Sequence, residues 1–246
     1  MRSSADIDFG RRVSPHDLPE LMDGNCSYED FRGCLRSLEQ INRWLLGYRP
    51  TLAWLKRLSP ALRDHGSRDP VHIVDVGSGG GDLLRQIAGW ARRRGIAVQL
   101  TGIDLNPYAA RAAAESTPKE LGIAWVTGNA LAYQPEKPVD IVVSSLMAHH
   151  LEGEEIVALL RWMEATAQAG WFINDLERSE RSCRMFTWVD RIAGWHRFVR
   201  HDGPVSFRRA FREDDWERLL TAADVPREAA TVEHWRPGRL CVGRWK

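Results

Sequence analysis

The sequence predicts an α/β protein built on a doubly wound, mainly parallel sheet with helices on both faces. Three observations carry this expectation. A short apolar run, Val71, Ile73, Val74 and Val76, has the composition of a strand buried on both faces, and it feeds a glycine-rich turn that opens a helix. Downstream, strand-like runs alternate with segments of helical spacing as far as Asn174. Near the end of the chain, Thr231–Trp235 and Arg239–Trp245, joined at Pro237-Gly238, read as a closing antiparallel hairpin.

Taken in order, the first ten or so residues are expected to be loosely held. Tyr28–Leu46 reads as a helix, because Phe31, Leu35, Leu38, Ile41, Leu45 and Leu46 recur at three- and four-residue steps. Gly47 is its expected stop, and Pro50 opens a second helix, Thr51–His65, with Leu52, Leu55, Leu58 and Leu62 inward. The stretch 64–70, rich in Gly, Ser and Asp, is the expected linker into the sheet. After the glycine turn comes a helix, Leu83–Arg94, then a second strand, Val98–Ile103, with Asp104 at its end. Asn106-Pro107 starts the next helix, to about Ser116. Ile123–Thr127 is a third strand and Val139–Ser144 a fourth, followed by a helix, Gly153–Gln168. Trp171–Ile173 is a fifth strand, ending in Asn174-Asp175. Leu176–Arg212 is too long for a simple connection and reads as a helical insertion, and Asp214–Ala223 is a further helix. Right-handed crossovers bring the carboxyl ends of the parallel strands to one edge, where ligands bind.

The 246 residues suffice for one large α/β domain with additions. A hydrophobic share of 43% with 27% charged residues is ordinary for a soluble globular protein, and a net charge of +1 gives no argument for nucleic acid. Cys26, Cys34, Cys183 and Cys241 show no metal-type spacing and are expected to be reduced. The start, MRSSADIDFG, is polar and charged, unlike a signal peptide, and no apolar stretch approaches membrane-spanning length. A cytoplasmic location is expected.

The stretch Val71–Asp82, VHIVDVGSGGGD, carries the strongest chemical signal. Four of the five positions 77–81 are glycine, so the backbone can turn tightly and approach a ligand with no Cβ in the way. The following helix points its free N–H groups at whatever the turn cradles. A dinucleotide fold wants a third glycine where Asp82 stands, and Asp75 at the mouth would repel a pyrophosphate. The same carboxylate suits a ligand with ammonium and sulfonium charges. Asp104, 23 residues beyond Gly81, is placed to accept hydrogen bonds from ribose hydroxyls, or else to cap a helix.

VDVGSGGGD resembles motif I of the class I S-adenosylmethionine (SAM)-dependent methyltransferases. The resemblance covers about 71–246. It implies a Rossmann-like sheet of the seven-stranded methyltransferase type, with SAM as methyl donor and S-adenosylhomocysteine as product. It also implies that Asp75, Gly77, Ser78, Gly79, Gly81, Asp104, Leu105, Asn129, Ala130 and Leu146 hold SAM. Ser144–Leu151, SSLMAHHL, resembles the fourth-strand segment of ubiquinone/menaquinone-type small-molecule methyltransferases, so His149 and His150 are the candidate catalytic residues. Imidazole suits a general base, because its pKa near 6.5 lets it accept a phenolic or enolic proton near neutrality. No metal is expected. The catechol-type arrangement fails on the serines that end strand four and on the reversed Asn174-Asp175 pair, and Asp175 is read as a substrate-edge residue or a loop cap.

Residues 1–66 are thus expected to form a helical extension that joins the lid over the active site. Residues 67–246 would form the methyltransferase domain, with 176–212 as substrate lid. Between 181 and 212, eight arginines are interleaved with Phe186, Trp188, Trp195, Phe198, Phe207 and Phe211. This suits an amphipathic lid, aromatics toward an apolar substrate and arginines outward, with a peripheral membrane contact as a further expectation. Basic and aromatic interleaving also grips single-stranded nucleic acid, which the neutral remainder of the chain does not favour. The expected reaction is methylation of oxygen, with carbon second, on a small apolar or aromatic acceptor of quinone or polyketide type, by a monomer or homodimer. The rivals are an RNA or protein methyltransferase, a catalytically inactive SAM-binding scaffold and an NAD-dependent dehydrogenase.

Overall fold

The computed structural model describes residues 9–66 and 69–246. Two helices, α1 (Tyr28–Trp44) and α2 (Arg49–Gly66), precede the sheet. Strands and helices then alternate: β1 (Val71–Val76), α3 (Asp82–Arg92), β2 (Val98–Asp104), α4 (Pro107–Ser116), β3 (Ala124–Thr127), β4 (Val139–Ser145), α5 (Gly153–Thr166) and β5 (Ala167–Leu176). Three further helices, α6 (Glu180–Ala193), α7 (Arg197–Arg209) and α8 (Glu213–Ala222), lead into the hairpin β6 (Ala230–Trp235) and β7 (Arg239–Trp245). The seven strands form one sheet in the order β3-β2-β1-β4-β5-β7-β6. The first five are parallel, and β7 runs antiparallel to both its neighbours. Strand order reverses between β1 and β4, so a crevice opens at their carboxyl ends.

The two-residue period of the strands sorts the core into layers. Val74, Val142, Trp171 and Ile173 pack against Leu159, Leu160 and Met163 of α5 and Trp216 of α8. Their sequence neighbours Ile73, Ile141, Val143 and Phe172 face the other way, onto Trp54 and Leu55 of α2 and Leu84 and Ile87 of α3. Each such large side chain contributes about 1.5–3 kcal/mol on burial. A third cluster joins Cys34 and Ile41 of α1 to Phe186 of α6 and Phe198, Val199 and Phe207 of α7. Close approach within this cluster depends on Gly203, where a Cβ would lie 2.6 Å from Phe186 Cζ. The two N-terminal helices therefore part company: α2 builds the sheet's own core, while α1 packs on α7.

Several sequence expectations need adjustment. Of the ten residues expected to be loose, 1–8 lie outside the described residues. Phe9, however, is buried, and its carbonyl accepts from Arg178 Nε at 3.1 Å. Helix α1 stops at Leu45, and the left-handed residue there is Leu46 (φ 56°), which is exposed, rather than Gly47. Part of the expected linker is helical, since α2 runs to Gly66; residues 67–68 lie outside the described residues. Strand β5 begins four residues earlier than the apolar run suggests, where Ala167 pairs with Val139 of β4, and it runs on to Leu176 because Gly170–Leu176 pairs residue by residue with β7. No helix among the described residues is long and apolar enough to cross a membrane.

Candidate active site

The carboxyl ends of β1, β2 and β4 open into a cavity of about 830 Å³. At one end the chain leaves β1 through the glycine turn. Gly77 sits at φ 72°, a conformation open to glycine, and a Cβ there would lie 2.7 Å from Met147 Cβ. Asp104 ties the turn to β2: its Oδ2 accepts from Gly79 N at 2.8 Å and its Oδ1 from Asn106 N at 2.8 Å. Asp104 is not the cap of α4; that position belongs to Asn106, whose side chain accepts from Tyr108 N. Gly81, also left-handed, is the N-cap residue of α3 and stands apart from the cavity lining, where its missing Cβ makes room for the Trp125 ring. The other sequence-derived positions, Asp75, Gly77, Ser78, Gly79, Asp104, Leu105, Asn129, Ala130 and Leu146, all line the cavity. Asn129 uses its Oδ1 to accept from Leu131 N, and Leu146 takes a left-handed turn (φ 56°) with its N–H on Asn174 O.

Three carboxylates crowd this end. Asp75 is buried in β1, and its Oδ1 has no hydrogen-bond partner. Burial first, then the charges of Asp82 and Asp104, push its pKa well above the usual carboxylate range. Burial also raises Asp104, against the pull of its two backbone hydrogen bonds. Asp82, the first residue of α3, accepts from Tyr48 Oη at 2.7 Å and from Asn42 Nδ2 at 3.1 Å, which ties the turn to the N-terminal helices. An orphaned buried carboxyl oxygen beside a glycine cradle fits a ligand that brings positive charge and hydroxyl donors. SAM has both, so the donor set matches the cofactor that the sequence suggested.

The opposite end is built from residues far apart in the chain. The 3-10 turn Ala148–His150 follows β4 and presents both histidines. His149 is buried; its Nδ1 lies 2.6 Å from Asp175 Oδ1, and its backbone N–H donates to Asp175 Oδ2 at 3.1 Å. His150 Nδ1 lies 2.9 Å from Asp23 Oδ1. A carboxylate only accepts, so each ring carries its proton on Nδ1 and turns Nε2 toward Glu20. Glu20 precedes, and Asp23 ends, a 3-10 turn that Asp202 of α7 caps, accepting from Leu21 N at 2.8 Å and Met22 N at 3.1 Å. Arg209, with a fully buried side chain, donates to His149 O at 3.1 Å and to Asp23 Oδ2 at 3.1 and 3.2 Å, and lies 3.2 Å from Glu20 Oε1.

This network moves the ionisations. Burial alone would lower His150, but Glu20 and Asp23 outweigh it and raise its pKa to about 9. Burial alone would raise Asp23, yet His150 and Arg209 bring it to about 2. Asp175 follows the same pattern: burial is outweighed by the His149 ring and the Leu176 N–H, and the carboxyl is held below its usual range.

Two sequence readings are corrected here. Asp175 is neither a loop cap nor a residue at the substrate edge, because it lies inside β5, fully buried beneath His149. The arginines of the insertion do not all face outward, since Arg209 points into the cluster. Of the interleaved aromatics, Phe186 and Phe207 line the cavity, whereas Trp188 is 64% exposed. Sequence reasoning missed Glu20 and Asp23 altogether and read Arg209 only as one of the eight arginines of the insertion.

Comparison with known proteins agrees with the donor end. A family described as methyltransferase domain matches residues 73–170. Trans-aconitate 2-methyltransferase of Streptomyces avermitilis is 31% identical over 170 residues, 64% of this chain and 60% of that protein. The enzyme of the same name from Mycobacterium tuberculosis is 32% identical over 99 residues, 40% of this chain and 34% of that protein. The chain thus spans less than two thirds of the length of these relatives. Among solved structures, the plantazolicin methyltransferase BpumL with S-adenosylhomocysteine superposes with a TM-score of 0.61 at 16% identity, covering 88% of this chain and 95% of that one. Human N-acetylserotonin methyltransferase with SAM gives 0.59 at 14% identity, covering 89% of this chain and 56% of that one. Residues 73–170 thus match a methyltransferase domain, and the fold of nearly the whole chain is that of solved SAM-dependent methyltransferases.

Proposed function

We propose that this chain transfers a methyl group from SAM to an oxygen, in preference to a carbon, of a small, mainly apolar or aromatic acceptor such as a quinone or polyketide. The observation that carries the reading is the convergence of the glycine turn and the His149–Asp175 pair on one cavity, roofed by Leu35 and Leu38 of α1, Met185 and Phe186 of α6 and Phe207 of α7. Asp75, Gly77, Ser78, Gly79, Asp104, Leu105, Asn129, Ala130 and Leu146 hold the cofactor, and Gly81 shapes the helix start beneath it. The sulfonium of bound SAM supplies the methyl group. Asp75, which lines the cavity and has one carboxyl oxygen unpartnered, meets the cofactor's positive charge, and Asp104 keeps lone pairs for hydroxyl donors while bracing the turn.

At the other end the acceptor's O–H gives its proton to the Glu20–His149–His150 cluster. With protons alone in the cluster, His149 Nε2 is the receiving atom. Asp175 holds the tautomer and offsets the charge that forms, a general-base contribution of about 10²–10⁴. The apolar roof keeps water from competing for the methyl group. Residues 1–66 and 176–212 share this lid, although α2 belongs to the core beneath it. The outer side of α6, with exposed Trp188 and Ile192 beside exposed Arg181, Arg184 and Arg191, is the face through which a membrane surface would be met.

An acceptor as anionic as trans-aconitate fits this cavity poorly. Its lining includes the carboxylates of Glu20, Asp23, Asp75, Asp82, Asp104, Glu154, Glu155 and Asp202, and Arg239 is its lone Lys or Arg among the described residues. Arg239 is already engaged, donating to Asn42 Oδ1 at 2.8 Å. The test is a panel of alkylphenols, hydroxyquinones and carboxylic acids, trans-aconitate included, incubated with methyl-tritiated SAM. Alkali-stable label in the phenols or quinones is expected. Label confined to alkali-labile esters of the carboxylic acids would refute the reading.

A further inference from the structure

The two histidines and Glu20 are arranged in a way that a proton relay does not account for. Nδ1 of each ring is occupied by a carboxylate, Asp175 for His149 and Asp23 for His150. Nε2 of each ring then faces Glu20, at 3.7 Å from Oε1 for His149 and 3.8 Å from Oε2 for His150. These separations exceed a hydrogen bond, so no proton is shared across either gap. They approach the spacing of two ligands on one ion: donors about 2.1 Å from a tetrahedral centre stand about 3.4 Å apart. One ligand atom from each of the three residues lies within 4.8 Å of the other two.

The surroundings suit an ion as well. Imidazoles that ligate metals donate their other N–H to a carboxylate, which fixes the ring and raises its basicity, and both rings here have that partner. Glu20 Oε1 is held by Ser206 Oγ at 2.8 Å and by Arg209, whereas Oε2 takes no hydrogen bond among the described residues. Three carboxylates, Glu20, Asp23 and Asp175, converge on the rings against the guanidiniums of Arg209 and Arg12. Two histidines and one carboxylate, with positions left open to a cavity, form a ligand set for zinc or iron(II).

We propose that His149 Nε2, His150 Nε2 and the Glu20 carboxylate bind one divalent transition-metal ion, with its open positions turned into the cavity to take an oxygen of the methyl acceptor. The proposal deepens the function above and rests on the reading of this cluster as the place where the acceptor loses its proton. A hydroxyl bound to the ion ionises near neutrality, so its proton goes to water instead of to His149. The oxygen then forms its bond to the methyl carbon as the C–S bond breaks, and S-adenosylhomocysteine leaves neutral. The ion keeps its oxidation state throughout.

The experiment uses the full, tag-free chain, stripped with chelator and titrated with Zn(II) by calorimetry and with Co(II) by visible absorption. One ion per chain is expected at micromolar or tighter affinity, with an intense Co(II) band of four- or five-coordinate type. Glu20→Gln should weaken Zn(II) binding at least about 100-fold, and Asp23→Asn, which keeps all three ligands but weakens the support of His150 and the partner of Arg209, about 10-fold. Circular dichroism and S-adenosylhomocysteine binding establish that each variant is folded. A wild-type chain that takes up no stoichiometric Zn(II), or takes it up equally well in folded Glu20→Gln protein, overturns the proposal. Methyl transfer that persists in chelator yet is lost in His149→Gln would remove the ion and leave the proton-accepting role standing. Transfer unaffected by His149→Gln would remove both.

Discussion

The raised His150 ionisation makes a quantitative demand on stability. In the unfolded chain the imidazole titrates near 6.5, and in the fold it titrates at about 9. A group whose folded pKa is raised stabilises the fold fully below the unfolded value, and that stabilisation is lost as pH climbs through the folded value. The interval of about 2.5 units at 1.36 kcal/mol each gives about 3 kcal/mol, an upper figure because a quarter of the side chain is exposed and water screens the pair. Urea unfolding of chelator-treated protein between pH 6 and 10 measures it. At the upper end of the usual slope of about 1–3 kcal/mol per molar urea, the midpoint should fall by about 1 M between pH 6.5 and 9.5. His150→Gln should be less stable at pH 6.5 and lose most of the slope above it. Asp23, lowered to about 2, predicts the complementary acid limb, lost as pH falls from about 4 through 2. The two shifts describe one pair from its two ends and are not summed. Parallel pH profiles for wild type and His150→Gln would refute the account of the cluster's charge.

Other perturbations separate the two ends of the cavity. Asp104→Ala removes the hydrogen bond from Gly79 N that ties the turn to β2 and the one from Asn106 N, and S-adenosylhomocysteine affinity by calorimetry should fall by about 100-fold, equivalent to about 3 kcal/mol; undiminished affinity would sink the ribose assignment. Gly77→Ala must adopt a left-handed conformation, costing about 1–2 kcal/mol, and must displace Met147; a lowered melting temperature and weaker cofactor binding should appear together. Asp175→Asn should bind S-adenosylhomocysteine as wild type does while turnover of a panel acceptor drops about 100-fold, and equal losses in both would point to unfolding instead. Gly203→Ala drives a methyl into the Phe186 ring, so a stability loss of about 1–3 kcal/mol with the cofactor site intact is expected, read by differential scanning calorimetry.

The donor end was legible in the sequence because its determinants are local. The strand, turn and helix around Val71–Asp82, the carboxylate closing β2 and the hairpin 230–245 each announce themselves within a short local stretch through periodicity and glycine. The acceptor end was half legible. His149 and His150 stand side by side after β4, but what they touch comes from positions 20, 23, 175 and 209, and no local pattern links those. Arg209 looks like seven other arginines of its segment until packing buries it. Asp175 did carry a signal, a carboxylate two residues after the apolar run Trp171–Ile173, but the apolar run alone ends the strand too soon. Pairing with β7, which lies some 70 residues on, extends the strand past Asp175 and makes it an interior residue.

The position of Glu20, Asp23 and Arg209 has a consequence for how relatives are compared. All three lie outside residues 73–170, the span that matches the methyltransferase domain family, while the glycine turn, Asp104 and Asn129 lie inside it. A protein aligned over that span alone can share the machinery that delivers the methyl group and inherit nothing of the chemistry that chooses its recipient. For this chain, likeness in the first sense rests on the middle of the sequence. Kinship in the second must be sought in the two ends that fold back to meet over the histidines.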